Sequence, residues 1–306
     1  MMYVFKQEQQ TFDFGGVVAG GQPGENPTVL IGGMFFAGQP IMENTREGIF
    51  DKKLAKEWIE TGTLMSERTG HPLMIQAFGR TPKAMETHLS WLADQFEGPI
   101  IFESVKPESR IRGIEFCDES GLNNRALYNS INLSMTDEEK AALTASSLGK
   151  GIVLGWTPRA TSLPERMETI REMVTSAQDM GITEFLVDPG ALPVGSGHGV
   201  EYRTLLAVKS QLGYPTSLAP HNAPSAWKFI KDSDLDNEPM HLATLIAAIS
   251  TAQVFAADCI MYGSMIRSKE AFGAAALIGN AISSAAAESS RAMGIERDLF
   301  EPLTSG

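Results

Sequence analysis

Five side chains able to bind or polarise a ligand each close a short apolar run: Gln76, Glu103, Asn129, Asp188 and Asn222. Carboxylates accept N–H donors, and carboxamides both donate and accept. That mixture suits a neutral heterocycle. A 2-amino-4-oxo pyrimidine edge presents N–H donors side by side, and one carboxylate accepts them together. An unpaired buried polar group costs about 1–3 kcal/mol, so such a site selects its ligand. Ser104 and Ser130 follow the acid and the first Asn directly, and His221 precedes the second. No lysine closes a run, which disfavours Schiff-base chemistry. No CxxC, HxxxH or HExxH pattern occurs, so no metal site is expected.

Each of these residues also has a structural role open to it. Asn129 and Asn132 can cap a following helix. Asp188-Pro189-Gly190 is a turn signal, and Asn222 can brace a loop. Glu103 has Lys106 and Arg110 within reach of an ion pair. His221 should point away from the side Asn222 faces if the strand continues, which places it behind the site. His198 lies in the Gly195-Ser196-Gly197-His198-Gly199 loop, at the mouth or in solvent. His71, His88 and His241 read as structural, and Cys259 as a packed thiol. Met34, at a strand end, is expected against a flat ligand.

The elements that must position these groups alternate. Apolar runs at 28–36, 72–78, 99–103, 125–129, 151–156, 184–188, 216–222 and 255–262 read as eight strands buried on both faces. Helical patterns lie between them. One covers 51–68, and one opens at Thr81-Pro82 and runs to Phe96. Thr136-Asp137-Glu138-Glu139 forms a capping box, and further helices span 164–180 and 269–293. Eight strand–helix alternations define a (β/α)8 TIM barrel, whose functional residues sit at the carboxyl ends of its strands. A dinucleotide fold would want GxGxxG after its first strand, and Ile31-Gly32-Gly33-Met34-Phe35-Phe36 is not that motif. Residues 1–24 read as an N-terminal β-hairpin and loop that plugs the amino end. Residues 25–295 form the barrel, so 1–306 is one domain.

The 306 residues are 43% hydrophobic and 20% charged, a balance that supports a soluble core without disulfides. A net charge of −12 repels a phosphate backbone and argues against nucleic-acid binding. Two cysteines fit a reducing compartment. The N-terminus lacks a signal pattern, and the most apolar late segment carries Gln253 and Asp258. A cytoplasmic protein with no membrane span is expected.

Several stretches stand in barrel order: Gly20-Gly21-Gln22-Pro23-Gly24, Pro27-Thr28-Val29-Leu30-Ile31-Gly32, Gly48-Ile49-Phe50-Asp51, Leu127-Tyr128-Asn129-Ser130-Ile131-Asn132, Phe185-Leu186-Val187-Asp188-Pro189 and Pro220-His221-Asn222-Ala223-Pro224-Ser225-Ala226-Trp227. Together they resemble the H subunit family of tetrahydromethanopterin S-methyltransferase and its bacterial relatives, over residues 10 to 290. Within that family the likeness is drawn to bacterial members that move methyl groups between methylcobalamin and tetrahydrofolate in glycine betaine demethylation.

The resemblance implies a pterin-binding barrel, a class that includes dihydropteroate synthase. It implies that Glu103, Asn129 and Asp188 hold the pterin, with Asn222 near N5 where the methyl group sits. Gln76 and Ser104 join the pterin-binding set, and His221 and Ser130 stand behind it. Asp188 and Asn222 are the expected catalytic pair. The class commonly ends its third strand in Asp, and Glu103 is longer by about one bond. The corrinoid is expected on a separate corrinoid protein, or free, because no DxHxxG motif occurs. The resemblance also implies a homodimer. Three alternatives stay open: a tetrahydromethanopterin-specific methyltransferase subunit, dihydropteroate-synthase-like condensation, and a non-catalytic folate-binding subunit. The second needs a diphosphate site, for which Arg267 is the nearby cation.

Overall fold

Successive side chains on a strand face opposite sides, so a strand buried on both faces supplies two cores at once. The computed structural model describes residues 4–156, 162–231, 237–293 and 298–301. It contains eight parallel barrel strands: β1 Val29–Met34, β2 Leu73–Phe78, β3 Ile100–Glu103, β4 Ala126–Ile131, β5 Lys150–Leu154, β6 Glu184–Asp188, β7 Ser217–Leu218 and β8 Cys259–Ser264. Neighbours pair in chain order, and β8 pairs with β1. The ring closes where Val187 on β6 bridges Thr216 just before β7, with the Val187 N–H donating to Pro215 O at 2.9 Å.

Alternation sorts the strand residues into two clusters. Val29, Ile31, Met74, Ile101, Leu127, Ile152, Leu186, Cys259 and Met261 point inward and fill the barrel. Leu30, Leu73, Ile75, Ile100, Phe102, Tyr128, Val153, Phe185, Val187 and Ile260 point outward under the helices. The larger outer cluster takes in Trp58 and Ile59 from the helix Lys52–Thr69 and Leu89 and Leu92 from Pro82–Gln95. Burial of this kind stabilises by about 25 cal/mol per Å² of apolar surface.

Local chemistry sets the helix starts. Asp51 accepts from the Lys53 and Leu54 N–H groups, and Thr81 from Ala84 N–H. The capping box at Thr136 is complete, with Glu139 returning to the Thr136 N–H at 3.0 Å. A second box joins Ser162 and Glu165 at the start of Leu163–Asp179.

The N-terminal hairpin pairs Thr11–Asp13 with Val18–Gly20. Gly15 and Gly16 turn it, both at positive φ. Its Phe14 is fully buried among the inward strand residues and stops the amino end of the barrel. On the same face Lys209, wholly buried, donates to Gly21 O at 2.9 Å and to both Asp258 oxygens at 3.0 and 2.9 Å.

All eight expected strands are present, with two corrections. β7 holds two residues and ends before His221. The chain then turns into the short helix Asn222–Ala226, because Pro220 and Pro224 lack the N–H that a strand ladder needs. β8 begins at Cys259 rather than at 255, because the helix Asn237–Val254 leads into a turn over 255–258, with Ala256 at φ 63°. That helix is apolar on more than one side and does not show a single stripe. Pro107–Ser120 and Val200–Gln211 are two further helices, beyond those expected from the sequence. No described helix is long and apolar enough to cross a membrane.

Candidate functional site

The inward parity of each strand, continued one step past the apolar core, builds the site. Above Met74 comes Gln76, above Ile101 Glu103, above Leu127 Asn129, and above Leu186 Asp188. Glu103 pairs in register with Asn129, and Asp188 with Leu154. These side chains line a cavity of about 380 Å³ at the carboxyl ends of the strands. That volume is in the range of small-molecule sites, about 300–1,000 Å³.

Of the residues expected at the site, Gln76, Glu103, Asn129, Ser130, Asp188, His221 and Asn222 all line this cavity. Ser104 does not: it is buried below the rim, where its Oγ accepts from Lys106 N–H at 3.1 Å. Asn129 and Ser130 are consecutive yet share the cavity, because the register with β5 slips between Asn129 and Ile131, and the placing of Ser130 behind the site is corrected. Asn132 lies outside it, holding the Ser134 N–H at 2.8 Å in a turn. His221 and Asn222 both reach the cavity because the strand has already ended. The expected opposition of their side chains, and the placing of His221 behind the site, are therefore corrected.

The walls supply flat apolar surface. Phe36 stacks on Phe78 with ring centroids 4.9 Å apart, and Trp156, Ile152, Leu154, Ala219 and Met261 complete the lining. Met34 is turned outward into the helix-facing core, so Phe36, two residues further along, takes the place expected for it. Parity from Leu30 would have placed Met34 outward, but it would have sent Phe36 the same way: β1 ends at Met34, and Phe35 at φ 70° breaks the alternation. Gly190, at φ +73°, lies against Trp156: a Cβ there would meet the Trp156 Cβ at 2.5 Å.

Electrostatics distinguish the polar layer from a surface cluster. Burial pushes Asp188 up to about 7, against the Gly190 N–H at 2.7 Å and the Ser217 hydroxyl at 3.4 Å, which favour the carboxylate. The Asp188-Gly190 turn therefore exists alongside the cavity role. Burial likewise pushes Glu103 up to about 7. The Arg110 guanidinium and a hydrogen bond from Gln76 oppose the rise, and Asp188 adds to it. Arg110 is itself paired with Glu139, which also accepts from Tyr128 Oη at 2.7 Å. Burial holds His221 below its ordinary value, so the ring is neutral near pH 7. Its Nδ1 lies 2.8 Å from Met261 O. A carbonyl only accepts, so Nδ1 carries the hydrogen and Nε2 is left as an acceptor.

The remaining histidines divide. His71 and His88 are buried against backbone carbonyls, and His198 pairs with Glu201 at 2.7 Å, away from the cavity. His241 lines a second cavity rather than the core. Cys259 is fully buried with its thiol pushed well up, as a packed side chain. Among the described residues no group of three or more His, Cys, Asp or Glu is placed to hold a metal ion.

A closed parallel barrel wrapped by helices is the (β/α)8 TIM barrel, whose functional residues sit at the carboxyl ends of its strands. The solved dihydropteroate synthase of Yersinia pestis in a sulfonamide complex superposes with a TM-score of 0.62, covering 90% of this chain and all of that one at 14% identity. At that identity the likeness establishes the fold. The sequence goes further: residues 7–297 match the tetrahydromethanopterin S-methyltransferase MtrH subunit family, and the chain belongs to it. The H subunit of tetrahydromethanopterin S-methyltransferase from Methanothermobacter marburgensis is 36% identical over 293 residues, spanning 93% of this chain and 94% of that protein. Its Methanopyrus kandleri counterpart is 39% identical over 241 residues, 76% and 75% of the two chains. The H subunit of the putative methyltransferase mtx from Methanosarcina barkeri is 33% identical over 310 residues and covers 99% of both.

Proposed function

We propose that the protein is a methyltransferase that moves a methyl group between N5 of a tetrahydropterin and the cobalt of a corrinoid carried by another protein. The observation that carries this reading is the layer of Glu103, Asn129 and Asp188 over flat apolar walls, in a member of this family. A carboxylate there accepts the ring's adjacent N–H donors, and Asn129 serves the neighbouring carbonyl and nitrogen. Phe36, Trp156 and Met261 bound a slot fit for a planar bicycle.

The chain's own residues bind, orient and polarise. Holding N5 at the mouth, with the methyl group directed outward, turns the transfer into an aligned displacement, and alignment alone can supply several kcal/mol. Asn222 lies exposed on the rim of the cavity and is placed to hydrogen-bond at N5 and stabilise charge that changes there. Asp188 and Glu103, poised near neutrality, anchor the ring and can exchange a proton with it. The corrinoid, when docked, supplies the cobalt that gives or takes the methyl group.

The names of the relatives weigh toward a tetrahydromethanopterin-type carrier. The resemblance to bacterial members favours tetrahydrofolate and a place in glycine betaine demethylation. The two carriers share the reduced pyrimidine ring that the polar layer addresses. Those relatives are named as subunits, which supports assembly with other chains, the corrinoid protein first. A homodimer in the cytoplasm completes the reading.

Ring binding tests the proposal. Titration of a tetrahydropterin should change the fluorescence of Trp156 in the cavity wall. Asp188→Asn and Asn129→Ala should each weaken binding about tenfold or more, as expected for the loss of one buried polar contact. Unchanged affinity in both variants would refute the assignment.

A further inference from the structure

A second cavity of about 620 Å³ opens beside the first. The two share His221, and they abut again just past the end of β1, where Phe36 lines the first and Ala37 the second. They also abut along β8, where Met261 lines the first and Gly263 the second. Gly263 keeps the passage open. At φ +89°, with a Cβ position 3.2 Å from the His221 ring, it is a site that a larger side chain would strain and crowd. The second cavity differs in chemistry. Ile230 and Leu245 give it apolar wall, while Lys231 and Arg267 bring two cations into a chain of net charge −12. Glu238 shares Arg267 by an ion pair, and Glu270 lies 3.5 Å from its other terminal nitrogen. A guanidinium has five N–H donors, so this pairing fixes Arg267 while leaving donors over.

We propose that this second cavity is the subsite for the extension on C6 of the tetrahydropterin: an arylamine lying on the apolar wall, with its anionic end met by Lys231 and Arg267. The inference rests on the pterin reading of the first cavity and deepens it. In a reduced pterin the 2-amino edge and C6 lie at opposite ends of the bicycle. The amino edge is fixed by Glu103 on β3, Asn129 on β4 and Asp188 on β6. In an eight-stranded ring β8 faces β4, so C6 points toward β8 and β1, where the second cavity begins. N5 is adjacent to C6, and the same orientation brings it to His221 and Asn222 at the junction. His221, whose Nε2 is an acceptor without a hydrogen of its own, lines both cavities where ring and extension would join.

Folate-type and methanopterin-type carriers both bear an arylamine ending in anionic groups, so the shared chemistry is what the cavity reads. Anaerobic titrations with 6-methyltetrahydropterin, which lacks the extension, with tetrahydrofolate and with tetrahydromethanopterin separate the ring from the tail. Wild type should bind at least one of the two extended carriers about tenfold or more tighter than the short one. The carrier that shows the gain is the one the cavity serves. Lys231→Gln and Arg267→Gln together should erase that gain and leave 6-methyltetrahydropterin unchanged, which also shows the fold intact. Should Arg267→Gln disturb the short ligand, Lys231→Gln, at an exposed position, decides alone. Equal affinity for short and extended carriers in wild type would overturn the subsite while leaving the ring site standing. So would inorganic diphosphate enhancing the binding of the short ligand while the tail adds nothing. Failure of all three carriers to bind would remove the pterin reading and the subsite together.

Discussion

Asp188 and Glu103 are held near pH 7 by burial, and this has a consequence for stability. In the unfolded chain the same carboxyls have their ordinary values, 3.8 and 4.5. Between those values and about 7 the folded state binds more protons than the unfolded state. Stability from these groups is therefore complete at acid pH and declines as pH rises through that window. The buried His71, His88 and His221, held below their ordinary value, act in the opposite sense up to about 6.5, so the carboxyl contribution is read as the difference between a variant and wild type. In denaturant unfolding of the unliganded protein, the midpoint of Asp188→Asn relative to wild type should rise from pH 5 to 8. A difference that stays level or falls over this range would show that Asp188 is not buried in this way. The identity of these residues could be read from the sequence because each is the first polar residue beyond the apolar core on the inward parity of its strand. The protonation could not, because it depends first on burial, then on Arg110, Gln76 and Asp188 around Glu103 and on Gly190, Ser217 and Glu201 around Asp188, most of them brought in from distant parts of the chain.

Strands buried on both faces were legible as apolar runs, and their parity carried Gln76, Glu103, Asn129 and Asp188 into one layer. Where a strand ended was less legible. The run 216–222 looked continuous, but its ladder stops at Leu218 and two prolines lead the chain into a helical turn. That turn lets two consecutive residues, His221 and Asn222, face one cavity, which a strand cannot do. The slip between Asn129 and Ile131 has the same effect on β4, and a bulge leaves little trace in composition. The hairpin plug was legible from its glycine turn, and Phe14 is its anchor. Phe14→Ala should cost about 3–5 kcal/mol, because the barrel interior has no other group to fill the space. Chemical denaturation checks this, and a loss below about 1 kcal/mol would mean that the hairpin does not close the barrel.

The whole molecule divides its work between two faces. At the amino face Lys209, Asp258, Gly21 and Thr216 form a buried network with no part in the cavity. Removing one charge strands the other, so Lys209→Met should destabilise by about 3–5 kcal/mol while the ligand affinity of the folded protein stays as in wild type. A change in affinity without a loss of stability would couple the two faces, contrary to the division. At the carboxyl face the polar layer, the rim Asn222 and the second cavity meet around His221. Anaerobic absorbance spectroscopy, with the methylated corrinoid protein or methylcobalamin as donor and tetrahydromethanopterin or tetrahydrofolate as acceptor, reads the whole arrangement at once. The expected result is conversion to the cob(I)alamin spectrum with at least one carrier, slowed about 100-fold in Asn222→Ala with ring binding retained. No conversion with either carrier and either donor, or full activity in Asn222→Ala, would contradict it.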